Sequence, residues 1–230
     1  EGKMDILNSS FGWIMKQCYF FCRNYGLAII LFTFLTKIIL LPVSVWVQKN
    51  SIKMVRIQPD VNLLKVKHFG DPDSIAEGQS KLYREEGYHP LASLIPLAIQ
   101  VILLMAVIGA IRAGMNDPGV DMCFLGVDMS LVPSEYGGWL ILSPILAGAS
   151  AWVMCAATNS ANVLQSEQAG WNKWGMLVLS VALSVYLGWF VPVGVAVYWI
   201  ASNLLSVAQL YILNRVINPR DYVDYDRLEE

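Results

Sequence analysis

Residues 24–43 read NYGLAIILFTFLTKIILLPV, an apolar run that contains a single charge, Lys37. A helix of about 20 residues crosses about 30 Å of hydrocarbon, so this run is long enough to span a bilayer. A lysine in the middle of such a helix costs roughly 3 kcal/mol on insertion scales. Charges at that depth usually face a hydrated or protein-lined cavity, which makes Lys37 the first candidate functional residue.

The composition of the whole chain is that of a membrane protein. Of 230 residues, 56% are hydrophobic and only 15% are charged, and the net charge is −2. Soluble domains carry about a quarter charged residues. There is no glycine-rich phosphate loop, and the four cysteines lack the spacing of a zinc site. We therefore predict no enzymatic activity, no cofactor, nucleotide or metal, and no direct binding of nucleic acid.

The hydropathy pattern predicts an all-α, polytopic membrane protein with five transmembrane helices. An amphipathic helix precedes the first span on the outer surface, and a helical hairpin joins the first two spans on the cytoplasmic side. The predicted segments are an outer interfacial helix at 4–23, spans at 25–47, 91–113, 139–157, 174–191 and 193–213, a cytoplasmic hairpin at 48–89, an outer loop at 114–138, a cytoplasmic loop at 158–173 and a cytoplasmic tail at 214–230.

The distribution of basic residues predicts the orientation. Eleven lysines and arginines fall on one side of the five predicted spans and four on the other. Cytoplasmic loops carry the excess of basic residues, so the N-terminus is expected outside and the C-terminus in the cytoplasm. An outside N-terminus ahead of five spans also leads us to expect a removed leader.

The loop between the first two predicted spans is too long and too patterned to be a simple connector. Its first arm is helix-compatible from Lys49 to His68, and Gly70-Asp71-Pro72-Asp73 ends that arm. Ser74 and Glu77 have the spacing of a capping box, so we expect the second helical arm to begin there.

The predicted spans contain no aspartate or glutamate, which leaves Lys37 without an obvious ion-pair partner. Its ammonium is then left to water, the backbone, neutral polar side chains or a visiting anion. The candidate neutral neighbours are Thr33, Thr36, Gln100, Ser202, Asn203 and Gln209. Two interpretations stay open from the residues alone, namely a hydrophilic groove with a function and a purely structural partner for the lysine.

The order of these parts resembles the YidC insertase family, which includes the mitochondrial oxidase-assembly and chloroplast thylakoid insertases. The resemblance covers about residues 8–217 and is closest to the five-span form of Gram-positive bacteria. It is carried by residues 25–30, 37–42, 54–59 and 89–91, by Pro96 and Gln100, and by residues 192–194 and 198–203.

This resemblance implies a membrane protein insertase and chaperone of the bacterial plasma membrane, with a hydrophilic groove open to the cytoplasm and to lipid. The groove residues it implies are Lys37, Thr33, Gln100, Ser202 and Asn203. The implied partners are nascent membrane proteins and the lipid bilayer, with the ribosome and the Sec translocon as further candidates. The family usually has arginine where this chain has Lys37, which keeps the charge but lacks the planar fork.

Two other classes of function remain as alternatives. A small-solute transporter or channel would produce selective flux across liposomes. A scaffold that assists assembly without inserting substrates would tolerate replacement of Lys37 by alanine.

Overall fold

The computed structural model describes residues 2–117, 119–161 and 170–222, and most of these residues are helical. The predicted all-α, polytopic class is confirmed, and the predicted outer loop adds one small β-hairpin. The helices are α1 Gly2–Cys22, α2 Tyr25–Ile39, α3 Leu41–Lys67, α4 Pro72–Glu86, α5 Ile95–Met115, α6 Pro133–Tyr136, α7 Leu142–Ala161, α8 Gly170–Phe190 and α9 Val193–Val216, and the antiparallel strands are β1 Cys123–Phe124 and β2 Val127–Asp128. Short 3₁₀ turns cover Pro90–Leu94, Gly138–Ile141 and Pro219–Tyr222.

Several helices have the length and composition of membrane spans. Within the described ranges, three segments are long and apolar enough to cross a bilayer, namely Ala98–Met115, Gly138–Ala161 and Val193–Val216. The bent pair of α2 and α3 adds a fourth candidate, and Leu177–Phe190 is a shorter apolar helix. The number of five spans therefore remains a prediction.

The first predicted span is bent in its middle. The axes of α2 and α3 differ by 53°, with Leu40 between the two helices. Pro42 lies in the first turn of α3, where a missing N–H costs little. Because the proline nitrogen carries no hydrogen, Pro42 cannot donate a hydrogen bond to the Ile38 carbonyl. The sequence predicts a hairpin arm separate from this span, whereas α3 continues through Pro59 to Lys67 as one helix.

The second arm of the helical hairpin begins earlier than the sequence predicts. The proposed capping box of Ser74 and Glu77 is wrong, because Asp71 is the residue that caps α4. The Ser74 backbone N–H donates to Asp71 Oδ1 at 3.2 Å and the Ser74 hydroxyl donates to Asp71 Oδ2 at 2.6 Å. Pro72 occupies the first turn, where proline is favoured, so the helix gains one more turn at its start.

Two amide side chains fix the base of the helical hairpin against the bundle. Asn50 is only 5% exposed, and its Nδ2 donates to the His89 carbonyl at 2.9 Å. The His89 N–H returns a bond of 2.9 Å to Asn50 Oδ1. Gln48 Nε2 donates to Asn214 Oδ1 at 2.7 Å, so α3 is also tied to the end of α9. These contacts orient the hairpin relative to α9.

The end of the bundle beside β1 and β2, called here the β-hairpin end, holds a closely packed apolar core. The side chains of Ile29, Phe32, Val107, Ile111 and Tyr198 are at most 1% exposed. They come from α2, α5 and α9, and α1 packs against α2 and α5 on the outside of this cluster. This end therefore fixes how the three helices lie against one another.

The start of α9 is held in that core by backbone hydrogen bonds. The Val193 N–H donates to the Leu131 carbonyl at 2.9 Å, and the Gly194 N–H donates to the Met129 carbonyl at 2.8 Å. A Cβ on Gly194 would lie 2.8 Å from Ile111 Cδ1 and 3.1 Å from the Met129 oxygen, so this close approach requires glycine. The opposite end, which carries α3 and α4, is called the helical-hairpin end.

Candidate functional site

The ammonium of Lys37 crosses from α2 to α9. Lys37 Nζ donates to Ser206 Oγ at 2.6 Å, and the lysine is half-buried. Among the described residues, no aspartate or glutamate lies within ion-pair distance of Lys37. The charge is therefore held by a neutral hydroxyl, as the absence of acids from the spans predicts.

A chain of hydrogen bonds continues from Ser206 to α5. The Ser206 hydroxyl donates to the Ser202 carbonyl at 2.7 Å, and the Ser202 hydroxyl donates to Gln100 Oε1 at 3.2 Å. Lys37, Ser206, Ser202 and Gln100 thus form one polar seam across α2, α9 and α5. Because Lys37 and Gln100 are about 60 residues apart in sequence, only the packing of the helices brings them together.

The part of the polar seam on α9 follows the helical repeat. Tyr198, Ser202, Ser206 and Gln209 succeed one another at steps of four, four and three residues, which places them on one face. Ser206 is missing from the sequence-based candidates, although this spacing could have identified it. The Nε2 of Gln209 is buried and has no hydrogen-bond partner in the part of the chain that the structure describes.

The two threonines near Lys37 have other surroundings. Thr33 lies one turn before Lys37, is 1% exposed and donates its hydroxyl to the Ile29 carbonyl at 2.7 Å. Along α2, Thr33 therefore lies between Lys37 of the seam and Ile29 of the packed core. Thr36 donates to the Thr33 carbonyl at 2.8 Å and lines an apolar cavity of about 210 Å³ that Leu40 and Ile99 also line.

Asn203 contacts a different helix from the rest of the candidate set. Its Nδ2 donates to Ser150 Oγ of α7 at 3.0 Å, and the Ser150 hydroxyl donates to the Ala147 carbonyl at 2.7 Å. Because Asn203 is one residue beyond Ser202, it lies about 100° around α9 from the polar seam. The structure therefore joins Lys37 to Gln100 and Ser202 and uses Asn203 between α7 and α9.

Exposed apolar side chains lie beside the seam. On α2, Phe34, Ile38 and Ile39 are 46%, 51% and 66% exposed, and Leu204 on α9 is 51% exposed. Such surface in a helical membrane protein is suited to lipid contact. The seam thus lies beside surface that an apolar segment could contact.

The chemistry available at the seam is reversible binding of a polar or anionic group. An ammonium carries three N–H donors, and the contact with Ser206 uses one of them. No group of three or more His, Cys, Asp or Glu side chains in the described residues has the arrangement of a metal site. The seam therefore offers hydrogen-bond donors and one positive charge to a ligand.

Fold and seam together define a polytopic α-helical membrane protein with a charged, polar site inside its helix bundle. Within that class, the family model described as 60Kd inner membrane protein matches residues 17–220. The chain belongs to the 60Kd inner membrane protein family. This match, together with the relatives and the solved structure described next, confirms the resemblance to the YidC insertases that the sequence suggests.

Relatives named membrane protein insertase YidC match nearly the whole chain. The protein of Polynucleobacter necessarius subsp. necessarius (strain STIR1) is 25% identical over 95% of this chain, but the chain spans only 37% of the length of that relative. The protein of Fusobacterium nucleatum subsp. nucleatum is also 25% identical, and there the match covers 91% of this chain and 95% of the relative.

A solved structure has a similar fold. The crystal structure of an active YidC insertase with its first transmembrane domain resolved superposes with a TM-score of 0.62 at 26% identity. The match covers 89% of this chain and 45% of that chain. The helical arrangement described above is therefore that of the family.

Proposed function

We propose that the chain is a membrane protein insertase and chaperone, without enzymatic activity, whose polar seam lies in a hydrophilic groove. The groove receives the polar or acidic tail of an incoming membrane protein beside Lys37. The apolar segment of the substrate then moves into lipid along the exposed surface of α2 and α9. The relatives named YidC insertases support this function for the part of their length that the chain matches.

The observation that carries the proposal is the pairing of Lys37 with a neutral hydroxyl. A carboxylate beside the lysine would neutralise the ammonium and leave no charge for a substrate. With Ser206 as partner, the positive charge remains available to an arriving acidic tail. A charged group at this depth is costly, and such residues in membrane helices commonly mark a functional pathway.

Hydration of the groove is supported by the buried Nε2 of Gln209, which has no hydrogen-bond partner in the described residues. Buried hydroxyl and amide groups normally form hydrogen bonds, because leaving them unpaired costs free energy. Water that enters from the helical-hairpin end would supply a partner for Gln209. The packed core of the β-hairpin end would stop this water from crossing the bilayer.

Two sources of free energy would move the substrate. Transfer of its apolar surface into lipid is favourable by about 25 cal/mol per Å². The membrane potential adds about 2.3 kcal/mol per elementary charge for each 100 mV as an acidic tail moves outward. The insertase then only has to lower the barrier for the polar tail, which a hydrated groove with one cation can do without consuming a nucleotide.

The proposal also covers location, orientation and partners. The bacterial relatives named YidC insertases support a location in the bacterial plasma membrane. The excess of basic residues in the helical hairpin and in the predicted cytoplasmic segments supports an N-terminus outside and a C-terminus in the cytoplasm. The helical-hairpin end then faces the ribosome, and nascent membrane proteins reach the seam from the cytoplasm. Ribosome and Sec translocon are partners that this orientation permits.

Insertion assays with variants of Lys37 test the proposal. The purified chain is reconstituted in liposomes, and integration of a single-span protein with an acidic tail is measured. We expect Lys37→Ala and Lys37→Glu to reduce integration, with the larger loss for glutamate because it repels the tail, and Lys37→Arg to retain it.

Two results would contradict the proposal. One is equal integration by all three variants and the original chain, both in liposomes and in cells depleted of their own insertase. The other is selective flux of a small solute through the same liposomes without any integration, since that result would indicate a transporter or channel.

A further inference from the structure

We propose that Ser206 is a positioning residue that gives the groove its preference for acidic tails. It holds the Lys37 ammonium in the seam through a hydroxyl that an incoming carboxylate can displace. This inference rests on the proposed insertase function and goes beyond it, because it concerns which substrates the groove favours and which residue sets that preference. The residue that would touch the substrate is Lys37, and Ser206 acts through it.

The hydrogen-bond directions fix the role of the serine. The Ser206 hydroxyl donates its only proton to the Ser202 carbonyl at 2.7 Å, one helical turn earlier. Its oxygen can therefore only accept from Lys37 Nζ, at 2.6 Å. Because a proton donated to the backbone keeps the hydroxyl from rotating, the acceptor lone pair stays directed at the ammonium.

The lysine needs such a partner because its side chain is flexible. Four rotatable bonds allow the ammonium many positions, and arginine, with a planar fork of five donors, reaches several acceptors at once. Among the described residues, Ser206 is the one side chain that accepts a hydrogen bond from Lys37. Without it, the ammonium would leave the seam for the more exposed surface near Ile38.

A neutral acceptor is also suited to exchange. A hydrogen bond between a charge and a hydroxyl is weaker than one between two opposite charges, so a carboxylate can replace the serine at the ammonium. After the tail moves on, the hydroxyl takes the ammonium back. A carboxylate at position 206 would instead hold Lys37 as a permanent ion pair and compete with the substrate.

The test compares two substrates with each variant. The full chain is reconstituted in vesicles of phosphatidylethanolamine and phosphatidylglycerol, and the probes are a single-span protein with an aspartate-containing tail and its twin with asparagines. The readout is the ratio of the initial insertion rates for the acidic and the neutral probe. We expect Ser206→Ala to lower this ratio roughly fivefold, the factor that corresponds to one lost hydrogen bond.

Three further variants separate positioning from simple damage to the fold. Ser206→Thr keeps the hydroxyl and its bond to the carbonyl one turn earlier, so it should restore the ratio. Ser206→Asp should lower the ratio further than alanine does. Ser143→Ala is the matched control. The Ser143 hydroxyl also donates to a nearby backbone carbonyl, that of Leu140 at 2.9 Å, but Ser143 lies on α7 and forms no hydrogen bond with Lys37 in the described part of the chain.

The outcomes distinguish this inference from the function on which it rests. If the original chain inserts neither probe, the insertase proposal fails. If it inserts both and Ser206→Ala keeps the original ratio, or lowers it no more than Ser143→Ala does, Ser206 does not position the charge. The inference also fails if Ser206→Thr unfolds at the original temperature but does not restore the ratio of the two insertion rates.

Discussion

At the β-hairpin end, the side chains of Ile29 and Phe32 are at most 1% exposed, whereas one or two turns further along α2 Lys37 is only half-buried. The first region is apolar and packed against α5 and α9. In the second region, Lys37 donates to Ser206 of α9, and Ser202 of α9 donates to Gln100 of α5. The same three helices thus form a sealed contact at one end and a polar one at the other. The packed end therefore holds the three helices together, while the polar end carries a charge that no acid among the described residues compensates.

The largest expected effect comes from opening the packed end. Phe32→Ala removes a side chain that is 1% exposed, and we expect the free energy of unfolding to fall by about 3 kcal/mol, because the cavity cannot be refilled. Unfolding by denaturant in mild detergent measures this change. Phe34→Ala is the matched control on the same helix, where phenylalanine is 46% exposed and the loss should be much smaller. Equal losses for the two variants would mean that the β-hairpin end is not a packed core.

A change of the opposite sign is expected at the polar end. Lys37→Met keeps the length of the side chain and removes the charge, so we expect stability to rise by about 1 kcal/mol while insertion of an acidic-tail substrate falls. Thermal unfolding and the liposome assay, performed on the same preparation, measure both quantities. A fall in stability would show that the contact between Lys37 and Ser206 supports the fold more than the buried charge weakens it.

The smallest effect is expected in the solvated helical hairpin, which extends the polar end into water. Hydrogen bonds from the Ser74 hydroxyl and N–H lower the pKa of the Asp71 carboxyl that caps α4. A lowered pKa in the folded state means that the capping contribution is fully present above the unfolded pKa and is lost as the pH falls through the folded pKa.

Hydrogen exchange of the first turn of α4 follows this loss. Protection there should decrease between neutral pH and pH values below about 4, after correction for the intrinsic exchange rate. Asp71→Asn keeps a capping oxygen that does not titrate, so its protection should be lower at neutral pH but independent of this titration. The same pH dependence in both variants would show that another group is responsible.

The sequence predicts the class of fold and the special position of Lys37, because a charge in a long apolar run is visible without any structure. It also predicts Gln100 and Ser202, which are polar residues in otherwise apolar helices. Pro42 allows a kink in the first span, but the sequence does not give the 53° angle or the continuity of α3, because the direction of a helix after proline depends on what it packs against. Asp71 was overlooked as a cap because Ser74 and Glu77 have the same local signature three residues later.

The site itself was predicted only in part, for reasons of geometry. A sequence shows which residues are polar but not which helix each one faces, so Asn203 looks equivalent to Ser202 although it donates to Ser150 on α7. Ser206 was missed because a serine is common in membrane helices and gains significance only from its 2.6 Å contact with Lys37. The spacing of four residues between Ser202 and Ser206 was the available signal.

Whether water reaches the polar seam but not the packed end can be measured directly on α9. The four native cysteines are first replaced, and one new cysteine is then introduced in each of two variants. Ser206→Cys places it in the seam, and Val195→Cys places it in the core, where the valine is 0% exposed. Both are reconstituted in liposomes and reacted with a water-soluble maleimide. We expect position 206 to be labelled at least about tenfold faster than position 195, since labelling needs water and a thiolate. Equally slow labelling at both positions would contradict this expectation, because the seam would then be as dry as the core.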